Sequence, residues 1–257
     1  MSWTSTRNNA VYRTADVRRK LADRGIALPE GAAAAAANLD RIRATRPVQP
    51  EPNAVRDAIL NDAEPAEIDR LLLAELAAAR RLAAHNQAEI DAATRTLRQI
   101  RDGHNEIYPQ LKQRADEAIA HIDAVAGLDG ASLDALVRDG RHDDAKLLVN
   151  VTAAAAELQV LYELYAGYLA DGGYQGMAPE GVNCSRWRDP RPVERHHRGD
   201  ETVAEVFVHG VRCCGQLWYP TQAEAIAAAA PIAAEVRKAA AAVAETRSTQ
   251  GGIAAFY

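Results

Sequence analysis

The sequence predicts a mainly α protein: long Ala-rich helices in a hairpin, bundle or coiled-coil arrangement, with one small β-hairpin inserted before the C-terminal helix. Three observations predict it. Ala occupies 55 of the 257 positions, and Ala is the best helix former because it loses no side-chain entropy. Leu, Ile, Val and Phe together number 52, a fifth of the chain, which argues against one thick core. Apolar positions spaced by four and three run from Leu72 to Leu111, a heptad seam more than five heptads long. All three fit helices that touch along thin seams.

The elements follow in order. A short helix is expected from about Tyr12 to Arg24, ending near Gly25, and a second from about Pro29 to Ala44 through six consecutive alanines. TRPVQPEPNA then carries Pro47, Pro50 and Pro52, which favour extended chain; it reads either as a semi-rigid linker or as a loop packed on the body. Pro65 suits a helix start. The seam beyond it comprises Leu72, Leu76, Ala79, Ala83, Asn86, Ile90, Ala93, Leu97, Ile100, His104, Ile107 and Leu111. Asn86 falls at a core position, where it either fixes register or sits at a wet bundle edge. Gly103 and Pro109 interrupt or kink the helix, and a shifted seam continues through Ala115, Ala118, Ile122 and Val125.

After GLDGAS, Ser132 is placed to cap the short helix SLDALVRDG. A long helix follows, with Leu148, Val151, Ala155, Leu158, Tyr162, Tyr165 and Leu169 on one face, and DGGYQG stops it. Tyr162, Tyr165, Tyr168 and Tyr174 cluster at that end as either interface contacts or a tyrosine-rich bundle end. From Thr202 to Trp218 valines alternate with other residues, and His209-Gly210 is a plausible turn, so this stretch is expected to be the hairpin. One face would hold Ala204, Val206, Val208, Val211, Cys213 and Leu217; the other would hold Glu205, Phe207, Arg212, Cys214, Gln216 and Trp218. Thr221 and Glu224 form a T-x-x-E capping box for the last helix, which carries Pro231. Four segments result: an arm and linker over 1–54, a long-helix body over 55–175, an Arg-rich loop and hairpin over 176–220, and a helix with an apolar tail over 221–257.

Function is less legible. No nucleotide-binding glycine loop, nucleophile elbow, H-E-x-x-H or EF-hand pattern occurs. The net charge of −5 gives no broad basic footprint. No apolar leader opens the chain and no charge-free apolar run reaches membrane length, so a cytoplasmic protein is expected, or a virion one if phage-encoded, without a membrane role. All three cysteines lie between Cys184 and Cys214. Cys184, His196, His197 and Cys214 are the candidates for a metal, but strand parity would point Cys213 and Cys214 to opposite faces, and no paired ligand spacing is present. Arg186, Trp187, Arg188, Arg191, Arg195 and Arg198 form a candidate surface for an anionic partner, diluted by Asp189, Glu194 and Asp200.

The expectation is therefore a non-enzymatic structural or assembly protein acting through helix-mediated contacts. No cofactor is expected, and the partners are protein, as a homo-oligomer or larger assembly. The interaction residues would be Leu72, Leu76, Asn86, Ile90, Leu97, Ile100, Tyr162 and Tyr165, with Phe256 and Tyr257 in the tail. The excess of Ala, and of Arg (26) over Lys (4), suggests a GC-rich genome, and a bacteriophage or prophage particle component is the concrete version. The alternative is a regulatory or nucleic-acid-associated module using the Arg-rich loop, with or without zinc.

Overall fold

The computed structural model describes residues 3–48, 51, 53–178, 181–194 and 199–253, with side-chain detail between 10 and 243. The described residues are mainly helical and contain no strand. They form two compact units, Met1–Ile107 and Tyr108–Tyr257.

The first unit contains α1 (Trp3–Ala22), α2 (Glu30–Ala44), α3 (Ala54–Leu60), α4 (Pro65–Asp102) and the start of α5 (His104–Ala126). Helices α1, α2 and α3 all pack on α4. Ala32, Ala36 and Leu39 recur at helical spacing and bury one face of α2. Leu39 meets Ala92 and Ala93 of α4, with Ala10, Val11 and Ile42 beside them. Small alanines bring the helix axes close enough for polar ties. Thr14 donates its hydroxyl to the Ala93 carbonyl at 3.0 Å, and Arg43 donates to the buried Glu89 carboxylate at 2.9 Å. The helices that precede the Pro-rich stretch pack on the long helix, and α3 begins at Ala54, the last residue of that stretch.

The heptad seam does not stay on one side of α4. A 3.5-residue repeat on a straight 3.6-residue helix drifts by about 20° per heptad, hence by about 80° between Leu72 and Ile100. Ala93 and Ile100 consequently face the core, whereas Leu72 and Leu76 are exposed. Among the described residues no supercoiling partner holds the early part of the seam inward.

The second unit contains the rest of α5, α6 (Leu133–Arg138), α7 (His142–Leu164), α8 (Gly173–Gly176), α9 (Arg191–Glu194), α10 (Val203–Arg212) and α11 (Gln222–Ile253). Leu111, Ala115, Ala118, Ile122 and Val125 form the buried face of α5, as the shifted seam predicts. Ser132 caps α6, accepting from the Ala135 N–H at 3.2 Å. Helix α7 continues as a π-helical turn, Tyr165–Leu169, which turns Tyr165, Ala166 and Leu169 into the core. Helix α11 runs through Pro231; Ala225, Ala229, Ile232 and Ala233 are buried, and every side chain from 234 to 243 is exposed.

The expected β-hairpin is corrected: Val203–Arg212 is helix α10. Thr202 accepts from the Glu205 N–H at 3.3 Å, and the Glu205 carboxylate accepts from the Thr202 N–H at 2.7 Å, a complete capping box. The buried residues are Ala204, Phe207 and Gly210, a spacing of three rather than two. Phe207, expected opposite the apolar face, is 1% exposed. The only feature of a ladder here is a single antiparallel bridge, Trp187 to Leu217, flanked by Arg188 N–H to Gln216 O (3.0 Å) and Trp218 N–H to Arg186 O (3.2 Å). Leu217 is therefore paired with the preceding loop instead of with 202–208.

Candidate functional site

The cysteine pair ends α10. Cys214 adopts φ +66°, its N–H reaches the Val211 carbonyl at 3.0 Å, and the Gly215 N–H reaches the Gly210 carbonyl at 2.9 Å. These two bonds are a Schellman helix stop, with Cys214 at the left-handed position that usually takes glycine. Glycines nearby permit close packing: a Cβ on Gly210 would lie 2.5 Å from Cη2 of Trp187. Cys213 Sγ lies 3.6 Å from Nε2 of His209, one helical turn earlier. That H-x-x-x-C spacing is a helical signal, absent from a strand reading of the same segment.

Cys184 is fully buried among Ala229, Ile232, Val182, Trp218 and Ala228. Burial pushes its thiol above the ordinary value, and the nearby Asp189 charge adds to this. Cys214 is exposed. His196 and His197 lie outside the described residues, and among the described residues no group of three or more His, Cys, Asp and Glu could hold a metal. In a thiol-labelling time course with a soluble disulfide reagent, Cys214 is expected to react first and Cys184 only after denaturant is added. Rapid modification of Cys184 in the native protein would contradict this burial.

The Arg-rich loop is largely engaged with its own unit. The Arg186 guanidinium lies over the Tyr162 ring at 5.7 Å, and that of Arg188 over Trp218 at 4.9 Å. Arg191 binds Asp189 in a fork (2.7 and 2.9 Å) and also reaches Glu235. Trp187 is buried against Phe207, with ring centroids 6.2 Å apart. Arg195 and Arg198 lie outside the described residues.

Tyr162 and Tyr165, read from the sequence as either interface contacts or a tyrosine-rich bundle end, are buried in an aromatic cluster with Tyr108, Tyr219 and Phe207. Each hydroxyl is matched. Tyr219 donates to the Leu161 carbonyl (2.8 Å), Tyr162 to the Trp218 carbonyl (2.7 Å) and Tyr108 to the Tyr219 carbonyl (2.9 Å). The Tyr165 oxygen accepts from the Gln222 N–H at 2.9 Å. This cluster fastens α5, α7 and the start of α11 together, and it is a core rather than a contact surface. Helix α7 with its π turn, His142–Leu169, is long and apolar enough by length and composition alone to cross a membrane, a test that the core helix of a soluble protein also passes. Its Leu158, Leu161 and Leu164 are fully buried inside this unit.

A cleft of about 690 Å³ opens between α5, α7 and α10, lined by Val125, Leu148, Val151, Thr152, His209 and Arg212, with Asp200, Glu201 and Glu205 also at its walls. Arg212 donates to the Ala126 carbonyl at 3.2 Å.

In the first unit, the predicted seam residues separate into three groups. Ile100 is buried, Ile90 and Leu97 are half-buried, and Leu72 and Leu76 are 42% and 63% exposed, with Leu73 beside them at 67%. Asn86 is half-buried, and its Oδ1 is enclosed without a hydrogen-bond partner among the described residues. Phe256 and Tyr257 lie outside the described residues. At 100° per residue, Leu72, Leu73 and Leu76 point away from most of the α4 residues that line the groove beside α3, which are Leu71, Ala74, Glu75, Ala78, Ala79 and Leu82. Further along α4 the same outward face carries Gln87, Asp91, Thr94 and Arg98, all exposed. The leucine stripe is thus confined to the first half of the helix.

No protein-family model, no curated protein and no solved structure matches the chain.

Proposed function

We propose that this chain is a non-enzymatic structural protein that assembles through helix-to-helix contacts. The observation that carries the reading is the stripe of Leu72, Leu73 and Leu76 on the outward face of α4. Single exposed leucines are ordinary on a protein surface. Three adjoining ones, on a helix whose remaining outward face is polar, form the kind of patch that marks a partner site. The exposed stretch of α11 gives the reading a second support, because Val236 and Val243 project from it one heptad apart. A bacteriophage or prophage particle component remains the concrete form of the proposal; its support is the Ala- and Arg-rich composition.

The test is sedimentation over a concentration series. The wild-type chain is expected to associate, and a variant carrying Leu73→Glu and Leu76→Glu is expected to sediment as a single chain with unchanged helical circular dichroism. The charges enter solvent-facing positions, so the fold should tolerate them to within about 0.5 kcal/mol. A wild-type protein that keeps the mass of one chain at every concentration would overturn the reading.

A further inference from the structure

We propose that the occupant of the α4 leucine stripe is a second copy of this chain, laid antiparallel across a two-fold axis that passes between Ala74 and Glu75. This inference rests on the assembly reading above and specifies its partner and register. Charge and symmetry point to this register. On the outward face of α4, Asp69 precedes the leucines and Arg80 follows them, at equal distances from that axis. Neither has an ion-pair partner among the described residues, whereas Glu67 and Arg70 nearby pair with each other at 3.3 Å.

A two-fold axis at this point sets Leu73 against Leu76 of the second copy and Asp69 against Arg80. Ala66 then meets Ala83, small against small, so the helices can stay close through the outer turns. Across the span 66–83 no like charges fall opposite each other. A parallel pair in register would do the reverse, setting Asp69 against Asp69 and Arg80 against Arg80. Antiparallel alignment also opposes the two helix dipoles favourably. The surface is self-complementary, as a closed two-fold dimer requires: each contact between two residues occurs twice.

The duplication makes the test sensitive. Arg80→Glu converts two attractive pairs into two repulsive ones, and Asp69→Arg does the same. Each single variant is expected to weaken dimerisation by about tenfold, since the pair it reverses is solvent-exposed and is counted twice. The double variant, Asp69→Arg with Arg80→Glu, restores opposite charges and is expected to return the dissociation constant to near the wild-type value. The measurement is a sedimentation-equilibrium series on the full chain at low salt, where screening is weakest. Restoration by the double variant supports the register. Association that is lost in Leu73→Glu/Leu76→Glu but indifferent to all three charge variants would overturn the antiparallel register and leave the assembly reading intact. A species larger than a dimer through this stripe would overturn the closed two-fold pairing. A wild-type monomer at all concentrations would overturn both.

Discussion

Replacing Phe207 with Ala is expected to cost about 3–5 kcal/mol of unfolding free energy, the range for truncating a large buried aromatic. Phe207 is among the most completely buried large side chains, and it meets Tyr162 and Trp187 edge-on at 6.2 Å each. The cavity would open where α10 meets α7 and the loop carrying Trp187. Trp187 is itself packed closely against Gly210. Val208 is half-buried on the cleft side, and Val208→Ala should cost less than half as much. Denaturant titrations of both variants decide the matter. A hairpin would give the opposite ranking, because its strand parity puts Val208 inside and Phe207 outside. A cheap Phe207→Ala with a costly Val208→Ala would therefore reject α10.

The second large effect is alkaline. Burial raises the hydroxyl pKa values of Tyr162 and Tyr219 well above the ordinary value of about 10, with the neighbouring tyrosines adding for Tyr219 and the Arg186 charge opposing for Tyr162. Tyr108 and Tyr165 are raised too, chiefly by burial, although the Gln222 N–H works the other way at Tyr165. The sign follows from linkage. The folded state holds the neutral phenols, so their contribution is complete below about pH 10 and falls as pH rises toward the folded values. Between the ordinary and the raised folded values, each buried phenol that ionises costs about 1.4 kcal/mol per pH unit. Several titrating together erode a stability that is about 5–15 kcal/mol in a typical domain. The expected result is one cooperative step in which phenolate absorbance rises as helical circular dichroism is lost. Gradual ionisation of these tyrosines near pH 10 with the helices intact would contradict the burial. Tyr219→Phe should move the step to higher pH relative to the variant's own neutral stability, because one of the groups driving it is gone.

The two T-x-A-E segments show where legibility in the sequence ended. TQAE at 221–224 reads as a helix start because alanines follow it, and the structure has that capping box, with Thr221 and Glu224 joined at 2.8 and 2.9 Å. TVAE at 202–205 is the same signal, yet the valines after it alternate as a strand would. The contest between the two patterns is settled by what lies beside the segment. Strand geometry would need a partner edge along its length, and among the described residues only Trp187 and Leu217 offer one bridge. A helix instead places Ala204, Phe207 and Gly210 on the side where Trp187 and Tyr162 wait.

The same division runs through the candidate sites. The sequence by itself determined the helical class, the breaks at Gly25, Gly103 and DGGYQG, the cap at Ser132, and the apolar periodicity of α4 and α5, because these depend on backbone conformation and residue spacing within a few turns. It could not determine which way a periodic face turns. The heptad seam is one line in sequence, but on a straight helix it passes from the solvent side at Leu72 to the core at Ile100, and only the positions of α1, α2 and α3 reveal which end is covered. Nor could it place the tyrosines, whose hydroxyls suit an interface or a core equally well until carbonyls from distant segments, Leu161, Trp218 and Tyr219, are seen to meet them. Burial is a property of what the rest of the chain brings near, and the tertiary structure alone decided it.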